Sequence, residues 1–124
     1  MKNYFIYVAL SECKTITKVG MSTGVSTRMA GLKLTEGQSF KPLFISTPKS
    51  KKEALEIETS VNNKFKKDVI KGNEWYSTKP ILIIEYLMQR LNIQPHTITI
   101  SKTDYPSWES NVNDYRNGKE VEEY

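Results

Sequence analysis

The sequence of 124 residues has one cysteine, one histidine and no apolar run long enough to cross a membrane. A single cysteine, Cys13, excludes an internal disulfide and a multi-cysteine zinc site, and it is typical of a reducing compartment. A single histidine leaves His96 as the one candidate for histidine chemistry, and a lone histidine in a polar stretch is typical of the surface. No small-residue cleavage site follows the apolar stretch of MKNYFIYVAL. These absences predict a cytoplasmic protein.

Charge is distributed unevenly along the chain. Residues 1–93 hold 15 Lys and Arg against 8 Asp and Glu, whereas residues 94–124 hold 3 against 6. The length suits one domain, so we divide the chain into a folded domain at 1–93 and an acidic C-terminal extension at 94–124. A basic domain suits an acidic partner such as nucleic acid, although a lysine-rich composition also arises from solubility alone.

Hydrophobic periodicity and turn residues predict a small α+β domain. The predicted strands cover residues 3–10, 15–19 and 43–46, and the predicted helices cover residues 25–34, 49–67 and 80–91. Ser22 or Thr23 is the predicted cap of the first helix. Ser50 and Glu53 have the spacing of a capping box at the start of the second. We expect a three-stranded, mostly antiparallel sheet flanked by helices, followed by one short strand at 98–101.

Glu58 falls on the apolar side of the predicted helix at 49–67. With Ala54 as zero and about 100° per residue, Ile57 and Val61 form an apolar stripe, and Glu58 lies within it at roughly 40°. Glu56 lies on the opposite face. A carboxylate on a buried face is costly without a cation or hydrogen-bond partners. Glu58 is therefore a candidate functional residue, unless it reaches solvent at the stripe's edge or pairs with a lysine.

Arg28 borders the apolar face of the first predicted helix. Its planar, permanently charged guanidinium group matches the oxygens of a phosphate, although such an arginine also covers apolar surface with its stem. Tyr7 in the first strand and Lys18 just before Gly20 in the second are further candidates. Their ordinary interpretations are core packing for the tyrosine and a solvent-facing edge charge for the lysine.

Together these residues resemble the GIY-YIG endonuclease superfamily. Phe5-Ile6-Tyr7 stands where the family has its first triplet, and Lys18-Val19-Gly20 follows, after ten intervening residues, where it has its second. Arg28 has the family's spacing, and Glu58 sits on a later helix, as the family's metal-binding glutamate does. A branch found in phages and fungi is the most similar, with a Lys-Ile-Gly triplet and a Glu-Trp-Phe element that here reads Glu74-Trp75-Tyr76.

The resemblance covers about residues 4–91 and implies a GIY-YIG-like fold and a DNA endonuclease that uses Mg²⁺ or Mn²⁺, in a host's cytoplasm if phage-encoded. Glu58 would bind the cation, and Arg28 would neutralise charge in the transition state. Tyr7 would help to activate water, with a pKa lowered by Lys18 or Arg28. The remaining residues of the implied site are the catalytic Lys18, the supporting Gly20, Asn62 and Glu74, and the DNA-binding Lys33, Lys64 and Lys67.

Departures from the family pattern leave a second interpretation open. Lys18 replaces the superfamily's second tyrosine, as is usual in this branch. Asn62 replaces the branch's helix histidine, so it can hydrogen-bond but cannot shuttle a proton. The alternative is a catalytically inactive module of the same fold that binds DNA or a host protein. For a host protein the candidate surface is the acidic extension with its aromatic residues Tyr105, Trp108 and Tyr115. The sequence leaves the oligomeric state open.

Overall fold

Seven strands form one sheet in the computed structural model, which describes residues 2–72 and 74–99 and the backbone of 121–122. The strands are β1 (Phe5–Ser11), β2 (Thr17–Ser22), β3 (Phe40–Ser46), β4 (Val69–Lys71), β5 (Trp75–Tyr76), β6 (Pro95–Thr99) and β7 (Val121–Glu122). Their order across the sheet is β4-β5-β2-β1-β3-β6-β7. The first six pair antiparallel with their neighbours, and β7 pairs parallel with β6.

Among the residues that the structure describes, three helices flank the sheet. They are α1 (Val25–Glu36), α2 (Lys51–Lys64) and α3 (Pro80–Glu85), and α3 continues as a π-helical segment at Tyr86–Arg90. A single 3₁₀ turn at Lys66–Asp68 follows α2. Within the described ranges, none of the helices has the length and apolar character that crossing a bilayer requires.

The prediction of a three-stranded sheet is wrong, although its three strands form the centre of the observed one. β1 pairs with β2 on one side and with β3 on the other. The added strands β4 and β5 have three and two residues, too few to produce an alternating pattern. The strand predicted at 98–101 overlaps β6 at residues 98 and 99, where β6 pairs with β3, and residues 100 and 101 lie outside the described residues. The aromatic residues predicted to dock, Tyr105, Trp108 and Tyr115, lie outside the described residues.

The capping box predicted for α2 is confirmed. The Glu53 backbone N–H donates to Ser50 Oγ at 3.1 Å, and the Ser50 N–H donates to Glu53 Oε1 at 3.2 Å. The cap predicted for α1 is wrong, because Gly24 occupies the N-cap position without a side-chain hydrogen bond. Ser22 Oγ instead accepts from the Gly24 N–H at 3.0 Å, within the turn that precedes the helix.

Alternation along β1 sends its side chains into two cores on opposite faces of the sheet. Ile6, Val8 and Leu10 pack with the buried residues of α2 and α3. Tyr7 and Ala9 pack on the other face against α1, in a smaller core with Leu32 and Phe40. Because residues directly opposite each other in an antiparallel pair share a face, the register of β1 with β2 places Gly20 and Lys18 on the face of Tyr7.

Gly20 is required by the position of the Tyr7 ring. The two residues are direct partners in the ladder between β1 and β2. A Cβ atom at position 20 would lie 2.5 Å from Tyr7 Oη and 2.7 Å from its Cζ. Tyr7 is 1% exposed, so the ring has little free space into which it can move. The glycine of the second triplet therefore allows the tyrosine of the first to lie flat against the sheet.

We predict that Gly20→Ala displaces the Tyr7 ring and lowers the free energy of unfolding by about 1–3 kcal/mol, as overpacking does. Gly31→Ala is the matched control, because nothing lies within 4 Å of a Cβ atom there. In the interior of α1 the added methyl group should stabilise by about 0.5–1 kcal/mol. Urea unfolding of both variants checks this, and equal stabilities for Gly20→Ala and the wild type would contradict the packing argument.

Candidate functional site

Lys18 is fully buried at the centre of the site, with 0% of its side chain exposed. Its Nζ lies 3.0 Å from Glu74 Oε2 and 4.6 Å from the centroid of the Trp75 ring. No hydrogen-bond acceptor of good geometry approaches this ammonium group among the described residues. Burial lowers the pKa of Lys18, and the contact with Glu74 opposes that effect. The interpretation of Lys18 as a solvent-facing edge charge is wrong.

Glu74 connects Lys18 to Glu58. Its carbonyl oxygen accepts from the Val19 N–H at 2.9 Å, which fixes its backbone against β2. Its side chain is 42% exposed and pairs with Lys18, and its carboxyl group also hydrogen-bonds to that of Glu58. A hydrogen bond between two carboxyl groups requires a proton on one of them. When Glu58 is protonated, its hydroxyl group can donate to the Glu74 carboxylate.

Glu58 lies where the helical spacing predicts. It is half-buried on α2, whereas Glu56 on the same helix is exposed. Burial raises the pKa of Glu58 to about 7, and the negative charge of Glu74 raises it further, while the charge of Lys18 opposes both. Pairing with a lysine does not describe Glu58, because Lys18 pairs with Glu74 instead. The other alternative, a glutamate that reaches solvent, agrees with its half-buried position on an open pocket.

Tyr7 and Arg28 meet on the face of the sheet that α1 covers. Arg28 is exposed on the first turn of α1 and makes a side-chain hydrogen bond to the Tyr7 phenol. The prediction of a lowered Tyr7 pKa is wrong. Burial raises the pKa of Tyr7 and outweighs the hydrogen bond and the charge of Arg28, and the charges of Glu74 and Glu58 raise it further. The phenol is therefore protonated at neutral pH.

Trp75 and Tyr76 contribute more than the core packing that their sequence suggests. Trp75 covers the Lys18 ammonium group. The Tyr76 ring is buried, and its hydroxyl group accepts a hydrogen bond from Asn62 Nδ2 at 3.3 Å. Asn62 stands where the branch has a histidine, and its amide group can donate this bond. The charges of Glu58 and Glu74 act on this hydroxyl. The sequence feature that could have indicated this contact is the last residue of Glu74-Trp75-Tyr76, because the similar branch has phenylalanine there and phenylalanine has no hydroxyl group.

The three lysines predicted to bind DNA are all exposed. Lys64 ends α2 and Lys67 lies in the 3₁₀ turn after it, and both line an open groove of about 520 Å³. Lys33 lies in the last turn of α1, and α1 and α2 pack on opposite faces of the sheet. The structure therefore places Lys64 and Lys67 together and puts Lys33 on the other helix.

Glu58 and Glu74 line one open pocket of about 260 Å³, together with Leu55, Thr59 and Asn62. Within residues 2–72 and 74–99, no three His, Cys, Asp or Glu side chains are grouped as a metal cage. Two carboxyl groups facing a solvent-accessible pocket fit Mg²⁺, which keeps several water ligands and binds through one or two carboxylates plus phosphate oxygens. The donor set does not resemble a closed structural zinc site.

We predict that the metal-free protein loses stability as pH rises through the pKa of Glu58. The pKa of Glu58 is about 7 in the folded protein and about 4.5 in the unfolded chain. Protonation of Glu58 therefore stabilises the folded state fully below about pH 4.5, and this contribution is lost as pH rises through about 7. Glu58→Gln should remove this pH dependence, so the variant gains stability relative to wild type between pH 5 and pH 8. Thermal unfolding in EDTA measures the difference, with Glu56→Gln as control. Parallel profiles for wild type and Glu58→Gln would contradict the assignment.

Comparison with known proteins finds one family. A model of the T5orf172 domain matches residues 4–89, which is more than half of the chain. This domain is associated with phages and is related to GIY-YIG and HNH-like nucleases, which indicates a nuclease-like or DNA-binding role. No curated protein and no solved structure matches the chain significantly. The match spans the sheet centre, all three helices and every residue of the site. The chain therefore belongs to the T5orf172 domain family.

Proposed function

We propose that this domain is a DNA endonuclease that uses Mg²⁺ or Mn²⁺ to hydrolyse phosphodiester bonds. One observation carries the proposal: Glu58, half-buried on α2, lines an open pocket with Glu74, and the exposed Arg28 on α1 interacts with the buried Tyr7. This arrangement provides an oxygen ligand for a hard cation, a cation for a phosphate and a hydroxyl group for a water molecule. Metal-dependent hydrolysis of a phosphodiester can use all three components.

Arg28 is the residue suited to the phosphate. Its guanidinium group is exposed, so a DNA backbone can approach it. Its interaction with the Tyr7 phenol places it beside the buried tyrosine. A preorganised donor beside a phosphate stabilises the negative charge that develops in the transition state. The bidentate geometry of arginine suits phosphate oxygens better than the point charge of a lysine.

Tyr7 orients the attacking water rather than deprotonating it. Because burial raises its pKa, the phenol is neutral at physiological pH and is a poor base. Its oxygen can still accept a hydrogen bond from water, and its proton can be donated. The proton of the attacking water leaves to solvent or to a phosphate oxygen.

Glu58 would hold the divalent cation, and Glu74 lines the same pocket. The bound cation would polarise the phosphate and make the leaving oxygen a better leaving group. Loading the site requires Glu58 to release the proton that it shares with Glu74, since a metal binds the carboxylate. The two carboxyl groups and the Lys18 ammonium group together carry one net negative charge once that proton has left.

We predict that Glu58→Ala reduces nicking of supercoiled plasmid in Mg²⁺ to background. Arg28→Ala should reduce the nicking rate about 10²–10³-fold, the cost of removing one transition-state donor, and Arg28→Lys should recover only part of that loss because it lacks the planar fork. Glu56→Ala, two residues from Glu58 on the exposed side of α2, is the control and should cleave normally. Wild-type rates in Glu58→Ala would contradict the site assignment.

A DNA-binding module without catalysis is the second candidate, favoured by the groove that Lys64 and Lys67 line. Folded wild-type protein that binds DNA and never cleaves it in Mg²⁺ or Mn²⁺ would establish this alternative. Binding without cleavage would be insensitive to Glu58→Ala.

Both candidates predict electrostatic DNA binding through the C-terminal end of α2. We predict that Lys64→Gln with Lys67→Gln reduces the slope of log K against log salt concentration by about 2 for duplex DNA in EDTA, since each phosphate contact contributes about 0.9. Lys51→Gln with Lys52→Gln is the matched control at the opposite end of the helix, about 20 Å away. Equal slopes for both double variants would place the DNA elsewhere.

A further inference from the structure

Lys18 cannot act on a substrate directly. Its side chain has no exposed surface, and the Trp75 ring and the Glu74 carboxylate cover its ammonium group. A buried ammonium group costs several kcal/mol of desolvation unless its environment compensates that cost. Compensation here comes from one carboxylate and one aromatic ring. Any contribution of Lys18 to chemistry must therefore pass through the groups that it touches.

Glu74 is the group through which Lys18 reaches the pocket. The carboxylate of Glu74 lies 3.0 Å from Lys18 Nζ and hydrogen-bonds to Glu58. Its backbone is fixed by the hydrogen bond from Val19. The three charged residues come from three elements: Lys18 from β2, Glu74 from the residue before β5, and Glu58 from α2. Glu74 thus links Lys18, on the face of the sheet that α1 covers, to Glu58 on the helix packed against the other face.

We propose that Lys18 and Glu74 are a positioning pair, in which the buried ammonium group holds the Glu74 carboxylate and Glu74 holds Glu58 in the orientation that binds a divalent cation. This proposal rests on the proposed function, because it concerns the same cation site. Lys18 is then a positioning residue. Positioning partners of metal ligands typically change metal affinity about 10–100-fold when they are removed.

The proposal predicts the opposite sign from simple electrostatics. A positive charge near a cation site repels the cation, so deleting Lys18 should tighten binding if charge alone matters. If Lys18 instead positions Glu74 and Glu58, deleting it should weaken binding. Lys18→Met is the suitable change because methionine fills a similar apolar volume without charge, and the half-exposed Glu74 is left with access to water.

The experiment is isothermal titration calorimetry with Mn²⁺ alone on the full chain, with thermal unfolding to establish folding. We expect Lys18→Met and Glu74→Ala each to weaken Mn²⁺ binding about tenfold or more. Lys71→Met is the matched control. Its ammonium group also lies over the Trp75 ring, at 4.7 Å, but it pairs with Glu36 and is 57% exposed. This control should bind Mn²⁺ as the wild type does.

Two further variants separate positioning from a loss of charge. Glu74→Gln keeps an acceptor for Lys18 and a hydrogen-bonding group for Glu58 but removes a negative charge from the pocket, so it should bind Mn²⁺ more weakly than wild type and at least about threefold more tightly than Glu74→Ala. The double variant Lys18→Met with Glu74→Ala should bind no more weakly than Glu74→Ala alone, because Lys18 acts only through Glu74. If Lys18→Met does not fold, Glu74→Ala and Glu74→Gln decide the matter.

Several outcomes would overturn the pair. Unchanged or tighter Mn²⁺ binding by folded Lys18→Met would do so, as would equal losses in Glu74→Gln and Glu74→Ala. These results would leave the proposed function standing if Glu58→Ala still abolishes Mn²⁺ binding and cleavage. Wild-type protein that neither binds Mn²⁺ nor cleaves DNA would remove the proposed function and the positioning pair together.

Discussion

The ion pair between Lys18 and Glu74 is the constraint on which the site depends. A lysine with no exposed surface cannot remain charged without a partner, and its burial beneath Trp75 determines where Glu74 must lie. Glu74 in turn meets Glu58, so the position of one buried cation sets the arrangement of two carboxyl groups. The short strand β5 makes this arrangement possible, because it places Trp75 opposite Lys18 at the start of β2, with Glu74 bonded to the neighbouring Val19.

The close approach of β1 and β2 is a second constraint that places the remaining groups. Gly20 leaves room for the Tyr7 ring, and this buries the phenol and raises its pKa. The same register aligns Ala9 with Lys18, where a small residue leaves space for the lysine stem. Arg28 reaches Tyr7 from α1, and only two residues separate the end of β2 from the start of that helix. Short connections in the first part of the chain thus assemble the face that would meet a phosphate.

The sequence predicts the centre of the fold and most of the site for physical reasons. The continuous run of β-branched and aromatic residues in β1 and the helical pattern of α2 are strong signals, and the capping box at Ser50 has an unambiguous spacing, so these elements are confirmed. The half-buried position of Glu58 follows from helical geometry alone. The short strands β4 and β5 carry no periodic signal, and the sheet is therefore wider than predicted.

The environments of Lys18 and Tyr7 could not be predicted, because they depend on contacts between distant segments. The burial of Lys18 requires Trp75, 57 positions further along the chain. The pKa of Tyr7 depends on whether burial or the neighbouring arginine dominates, and the structure shows that burial does. The local sequence identifies which residues can carry a charge, whereas tertiary packing decides which protonation state of each residue is stable.

The most direct test of the account is the anomalous diffraction of Mn²⁺ in crystals of the protein bound to a DNA duplex with uncleavable linkages. We expect a peak in contact with the Glu58 carboxylate, with a backbone phosphate between that peak and the Arg28 guanidinium group. A Mn²⁺ peak remote from Glu58, or DNA bound with its phosphates away from Arg28, would contradict it.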